Sequence, residues 1–433
     1  MASDPTDIAH LLRRSGFFAD GARIDQLSRL SWAAAVDAVL DTSAAPGEDL
    51  PGEVFTWDQN QGWPRYISLV HWWLNRCVST PTPIVEKMTL FWHGHFTTSF
   101  DKVYNVSAIV SQHRLYRAHA LGNFATLAQA MAVEPAMLAY LDNSDNVAES
   151  PNQNFARELL ELYLLGVGNY SEDDVVSAAR AWTGHGVVAW NDLRYVFRPE
   201  EHDSGVKTFF GTTKNWDGPD IIAAVLGSAT KRTISAKFIA KKLWEFFAYE
   251  QPSDEIVAAI ATSLLAGWSI RDALRTLFNR PEFRSTAARQ GHVRSPIEFV
   301  VATMHHTGLR AEEAHPEWHL RDMGQLPFNP PNVSGWKHNG YWVNSSAFQA
   351  RTEFARNVMW VLGNNHGWRA DIDTMSVDQA IDHGAEVFDL SLSAPTRAAI
   401  RDWLIASRAG TERWAQKYFM TLALLLAPEM HLA

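Results

Sequence analysis

Cysteine is almost absent. Cys77 is the one thiol in 433 residues, so no disulfide can close within the chain and folding needs no oxidising compartment. The spacings Cys-x-x-Cys and His-Glu-x-x-His are missing as well, which removes the zinc classes they define. Long apolar runs are also lacking. The nearest approach, Thr421–Ala427, is far too short for a bilayer and stops at Pro428. Met1–Asp7 is acidic and lacks the apolar core of an export signal. The expectation is a cytoplasmic protein with no membrane partner. Positive charge is short too: 38 Lys and Arg stand against 48 Asp and Glu, for a net charge of −10. A nucleic-acid partner would need a basic face, so that class is set aside. No internal repeat or low-complexity tract is present.

What the chain does have is aromatic bulk. With 18 Trp and 22 Phe, large rings must dominate the core and any cleft. The length is too great for one simple core and suits two or three packed lobes. Apolar residues recur at helical spacing over Ile8–Arg14, Arg23–Leu40, Tyr66–Cys77 and Asn154–Leu162. Pro81 and Pro83 open a helix running into Phe91, and Ser171 with Asp174 reads as a helix cap. Between Gly184 and Gly211 the period changes. Val187–Trp190 and Tyr195–Phe197 flank Asn191-Asp192, which predicts a β-hairpin and the single β region. The fold class expected is mostly α, a multi-helix globule with a small hairpin insertion. The boundaries are 1–183 for an N-terminal lobe, 184–215 for the insertion and 216–433 for a C-terminal lobe.

The richest run is Phe91-Trp92-His93-Gly94-His95-Phe96. Neutral imidazole is the commonest metal ligand and suits proton transfer near neutrality. In an extended segment His93 and His95 would share a face and one ion, whereas in a helix they would diverge. The plainer alternative is two buried histidines bonded to backbone. Glu158 and Glu161 lie on one helical face beside Arg157. Either they make a structural ion pair, or Glu158 faces the histidines as a ligand or general base. A carboxylate against apolar walls holds its proton more tightly, as a base working near neutral pH requires. His202-Asp203 follows the hairpin, with Lys207 placed to meet an anionic group. Phe328, Asn332, Trp336, Tyr341 and Trp342 share a proline-stiffened loop. These residues suit stacking on sugar or planar rings, or else a plug between helices. Lys237, Lys241 and Lys242 read as a solvated face.

Several of these motifs occur in a telling order. Leu11–Phe17, Trp92–Phe96, Asn154–Leu162, Ala179–Gly184, His202–Lys207, Lys241–Trp244 and Pro330–Trp336 together resemble the bacterial family catalogued as domain of unknown function 1800, over nearly the whole chain. The resemblance implies no assigned activity. It implies relatives that are often exported and encoded beside sulfatase-like proteins, hence a possible sulfatase-like partner. The chain departs from the pattern in lacking an export signal and in placing His185 where many relatives have tryptophan.

The functional expectation is a metal-dependent enzyme, hydrolytic first and oxidative second, acting on a small molecule or glycan in an aromatic cleft. Its divalent ion would be held by His93, His95, Glu158 and His202. Glu158, His202, Asp203 and Lys207 would be catalytic, and Arg157, Asn332, Trp336 and Trp342 would bind substrate. A non-catalytic glycan- or protein-binding role is the competing expectation.

Overall fold

Caps and breakers divide the chain into short helices, and a computed structural model describes residues 2–45, 47, 50, 62–189, 192–363, 367, 372–409 and 415–433. Pro5 starts α1 (Pro5–Ser15), whose Asp4 cap accepts from the Thr6 amide at 2.8 Å. The stretch expected as one helix from Arg23 to Leu40 is two, α2 (Gly21–Ser28) and α3 (Trp32–Leu40). Ser31 divides them by accepting the Ala34 amide and starting the second. Next come α4 (Gly62–Ser79) and α5 (Pro83–His95), then α6 (Phe100–Val103), α7 (Val106–Ala118), α8 (Phe124–Ala132) and α9 (Pro135–Tyr140). Buried Glu86 ties three of these together. It accepts from Trp73 Nε1 at 3.0 Å, Arg76 Nε at 3.0 Å and Arg117 Nε at 3.1 Å. That fixes the orientation of α5, whose last turn carries both histidines.

The acidic helix starts as α10 (Asn154–Glu158) and continues as a π turn over Leu159–Leu165. The predicted Ser171–Asp174 cap is a complete capping box opening α11 (Glu172–Ala181). The hairpin follows, with β1 (His185–Ala189) antiparallel to β2 (Asp192–Phe197) and His185 opposite Phe197. Trp190 and Asn191 lie outside the described residues, as does most of the Thr42–Gly62 connector. A second ribbon, β3 (Lys207–Phe209) with β4 (Thr212–Lys214), was not expected. Strands of three residues are too short to show a period of two in the sequence.

The chain then returns to helices: α12 (Gly218–Gly227), α13 (Lys231–Phe247), α14 (Asp254–Leu265), α15 (Ile270–Asn279), α16 (Thr286–Gln290) and α17 (Pro296–Thr307). After α18 (Ala311–Ala314) and α19 (Pro316–Asp322) comes the loop 323–344, and then α20 (Ser345–Val361), α21 (Val377–Val387), α22 (Ala394–Ala409) and α23 (Ala415–Leu425). The protein is mostly α with two small ribbons. Among the described residues no helix is long and apolar enough to cross a membrane.

One cluster of buried residues runs from Ile8 to Met430. Early and late segments are bonded directly: Arg14 donates to the Ala288 carbonyl at 2.6 Å and Tyr66 to the Pro327 carbonyl at 2.7 Å. Trp73, Trp92, Trp182 and Trp244 are fully buried within it.

Candidate functional site

The loop 323–344 folds back over the end of α5 and creates a cleft there. Gly335 makes the approach possible. Its φ is +82°, and a Cβ at this position would lie 2.4 Å from the Gly94 carbonyl oxygen. Trp336 then rests against Gly94. Further anchors are the Phe100 amide, donating to the Phe328 carbonyl at 2.9 Å, and the Ile297 amide, donating to Gln325 Oε1 at 3.0 Å. Lys242 and Phe246 of α13 form part of the opposite wall, with His292 and Glu298 beside the start of α17. The enclosed volume is about 480 Å³, and Phe91, Trp336 and Trp342 supply aromatic faces. Such a space suits a small ring-bearing molecule.

Two nitrogen bases meet on its wall. His95 Nε2 lies 3.0 Å from the Tyr163 carbonyl, which can only accept, so this nitrogen carries the proton. Its Nδ1 therefore accepts from Lys242 Nζ at 3.1 Å. Lys242 also donates to the Leu162 carbonyl at 3.3 Å. The π turn explains why these carbonyls are free: it ends at Leu165, and the last four carbonyls of a helix lack partners within it. Its negative end also favours a nearby cation. Burial, and then the Lys242 charge, holds His95 well below its usual range, so the ring is neutral. Burial likewise pushes the Lys242 amine down to about 8, with Glu245 opposing the shift. An amine of that pKa divides between its two forms near neutral pH.

Beside this pair lie two polar groups without partners. His292 Nδ1 and Trp336 Nε1 are buried and accept or donate no hydrogen bond, although both residues line the cleft. Buried polar atoms are normally satisfied, so a ligand is a natural partner. Burial brings His292 down to about 3. Glu298 is paired with Lys87 across the core and accepts the Ser295 amide at 2.7 Å. Burial alone would raise this carboxyl, yet Lys87 and then His292 hold it well below its ordinary value.

A family model described as a protein of unknown function, DUF1800, matches residues 10–432. The chain belongs to that family. No curated protein and no solved structure matches it. The cleft of this DUF1800 chain is assembled from three of the motifs noted in its sequence: Trp92–Phe96, Lys241–Trp244 and Pro330–Trp336.

The four expected metal ligands do not form one centre. α5 remains helical through His95, so the two rings point about 200° apart around its axis. His93 turns inward, its Nε2 3.1 Å from His113 Nδ1, among Trp73, Tyr116 and Phe328. Burial lowers it to about 3. It is a core histidine. His95 has both nitrogens engaged. Glu158 is only partly buried, and burial followed by Glu161 raises its proton affinity. Among the described residues, neither group of side chains close enough to share an ion includes His93, His95 or Glu158.

Other assignments change for equally local reasons. Arg157 forks onto Glu172 at 2.8 and 2.7 Å, a surface ion pair rather than a substrate clamp. Asp203 accepts from Arg180 Nε at 2.6 Å and from the Gly205 amide at 2.8 Å. Lys207 is buried and donates to the carbonyls of Asp203 and Trp216 and to Asn215 Oδ1, so it fastens a loop and meets no anion. Asn332 is exposed and caps its own turn through Ser334 at 3.0 and 2.6 Å. Trp336 and Trp342 do line the cleft, both of them buried. Lys242 was misread as solvated. Its signal was Phe238 and Phe246, four residues away on either side and hence on its own helical face.

Proposed function

We propose that this protein is an enzyme for a small, ring-bearing molecule, working by proton transfer at Lys242 in the cleft between α5, α13 and the loop 323–344. One observation carries the reading: an amine lowered to about 8 by burial, bonded to a neutral imidazole, on the wall of an aromatic cavity. A binding module has no need of such a group, whereas a general base does. In its free form the Lys242 amine takes a proton from the substrate or from a water attacking it, so hydrolysis, the first expectation from sequence, stays within its reach. The ammonium so formed is met by the Leu162 carbonyl and the negative end of the π turn. His95 Nδ1 keeps the amine aimed. The faces of Trp336 and Trp342 hold the ring, and His292 and Trp336 offer it hydrogen bonds.

The test needs no known substrate. With benzaldehyde and cyanoborohydride at pH 7.5, an amine of pKa near 8 presents about 200-fold more of its free form than an ordinary lysine, so Lys242 should be alkylated at least about tenfold faster. The exposed neighbour Lys241 is the internal control, and peptide mass spectrometry reads both sites. Equal labelling of the two would end the proposal, leaving the cleft as a binding site only.

A second expectation follows from the same shift. Between about 8 and 10.5 the unfolded chain holds more protons at this lysine than the folded one. Its burial penalty is therefore full below pH 8 and fades as pH rises through that window. Lys242→Met should stabilise the fold at pH 7 by about 2 kcal/mol, an advantage that disappears above about pH 10.5. Denaturant titrations at the two pH values check this, and a destabilised variant at pH 7 would contradict it.

A further inference from the structure

A second set of side chains converges where the hairpin leaves the helical body. Gly184, at φ +78°, lets the chain pass so close to the returning strand that a Cβ there would lie 2.5 Å from the Arg198 carbonyl oxygen and 3.2 Å from the His202 amide. Thr183 locks the crossing. Its carbonyl accepts from His202 Nδ1 at 2.8 Å and its Oγ1 accepts the Asp203 amide at 2.8 Å. His202 Nδ1 is thereby occupied, which leaves Nε2 as the ring nitrogen available to a ligand. Across from it, His185 Nδ1 is held by the Tyr195 hydroxyl at 2.8 Å, and His185 Nε2 lies 3.0 Å from Asp217 Oδ1. Asp217 is exposed and caps α12. One ligand atom from each of His185, His202 and Asp217 lies within 4.8 Å of the other two.

We propose that His185, His202 and Asp217 bind a divalent first-row transition ion. The chemistry of the donors supports this. Ligands at about 2.1 Å around a tetrahedral ion stand about 3.4 Å apart, so the 3.0 Å His185–Asp217 edge needs to open by about 0.4 Å and His202 has at most about 1.4 Å to close. The ion takes the place of the proton that His185 and Asp217 share. Each imidazole has its outer nitrogen fixed by an oxygen, as metal-bound histidines do. Three protein ligands with a solvent-facing side leave a coordination position open, the arrangement of a working site and not of a closed structural one. Two imidazoles with one carboxylate favour zinc, iron or manganese over calcium or magnesium. This site is separate from the cleft, and its existence does not depend on Lys242.

Calorimetric titration of the chelator-stripped full chain with zinc chloride tests it. One ion should bind per chain, and His202→Ala and Asp217→Asn should each weaken binding by about 100-fold, the upper range for loss of a supporting contact. Asp217→Asn keeps the cap, so folding is retained, and circular dichroism of both variants verifies that. His315→Ala serves as the control, because His71, His315 and Glu317 form the other such group among the described residues. Unchanged binding in that control, with the losses above, supports the site. No uptake by the stripped chain, full binding in both site variants, or loss in the control overturns it. Lys242 labelling in the same variants stays at the wild-type rate, so failure here and failure at the cleft are told apart.

Discussion

Glu298→Gln is expected to destabilise the protein by about 3–5 kcal/mol, the range for breaking a buried ion pair from one side. Lys87 is enclosed between Phe17 and Phe246, with its Nζ 5.1 and 5.6 Å from their ring centres. Among the described residues, the one opposite charge in contact with it is Glu298. Glutamine keeps the shape and most of the capping box while leaving the ammonium alone in an apolar surround. Removing both charges, as Lys87→Met with Glu298→Leu, should recover most of the loss because the desolvation cost vanishes with them. Lowering the pH from 7 to 3 should narrow the difference between wild type and Glu298→Gln. The wild-type carboxyl has its folded pKa below the ordinary 4.5, so its stabilisation is complete above that value and is lost as pH falls towards the folded one. Denaturant midpoints at pH 7 and pH 3 measure both effects. A variant within about 1 kcal/mol of wild type at pH 7 would show the pair to be dispensable.

Gly335→Ala is expected to be the second most damaging change, at about 3 kcal/mol. About 1–2 kcal/mol comes from a left-handed backbone carrying a side chain, and the rest from the methyl pressing on the Gly94 carbonyl. That oxygen belongs to the helix backbone and cannot swing aside, so the loop must lift. Trp336 would leave its seat and the cleft would open. Thermal unfolding reads the loss, and tryptophan fluorescence shifted to the red reads the opened ring. A variant with wild-type emission would mean that the loop can adapt without moving.

The fold was legible where its causes are local. The capping box at Ser171, the proline start of α5 and the alternation of the hairpin are written within a few residues. The composition of the aromatic loop left two readings open, a stacking surface or a plug between helices, and Trp336 and Trp342 are both buried and line the cleft. The partners of the histidines could not be read. Whether His93 and His95 converge depends on α5 continuing past Gly94, and a helical glycine is tolerated here because Trp336 covers it from 242 positions further along. His95 meets Lys242 across 147 residues and Lys87 meets Glu298 across 211. Such separations leave no mark in a local window. His202 was legible as a polar loop histidine after the hairpin, but its neighbours His185 and Asp217 are brought to it by a crossing that only Gly184 hints at.

The Lys87–Glu298 pair also bears on how the chain is made. At about 5–20 residues per second, a ribosome takes roughly 10–40 s to reach the acid once the lysine has been synthesised. Throughout that interval the nascent amino-terminal half has a charge that it must keep in water, so α5 cannot settle into its final place. The cleft is thus expected to close only after Glu298 has left the ribosome, because the partner that lets α5 bury its lysine is still to be translated before then.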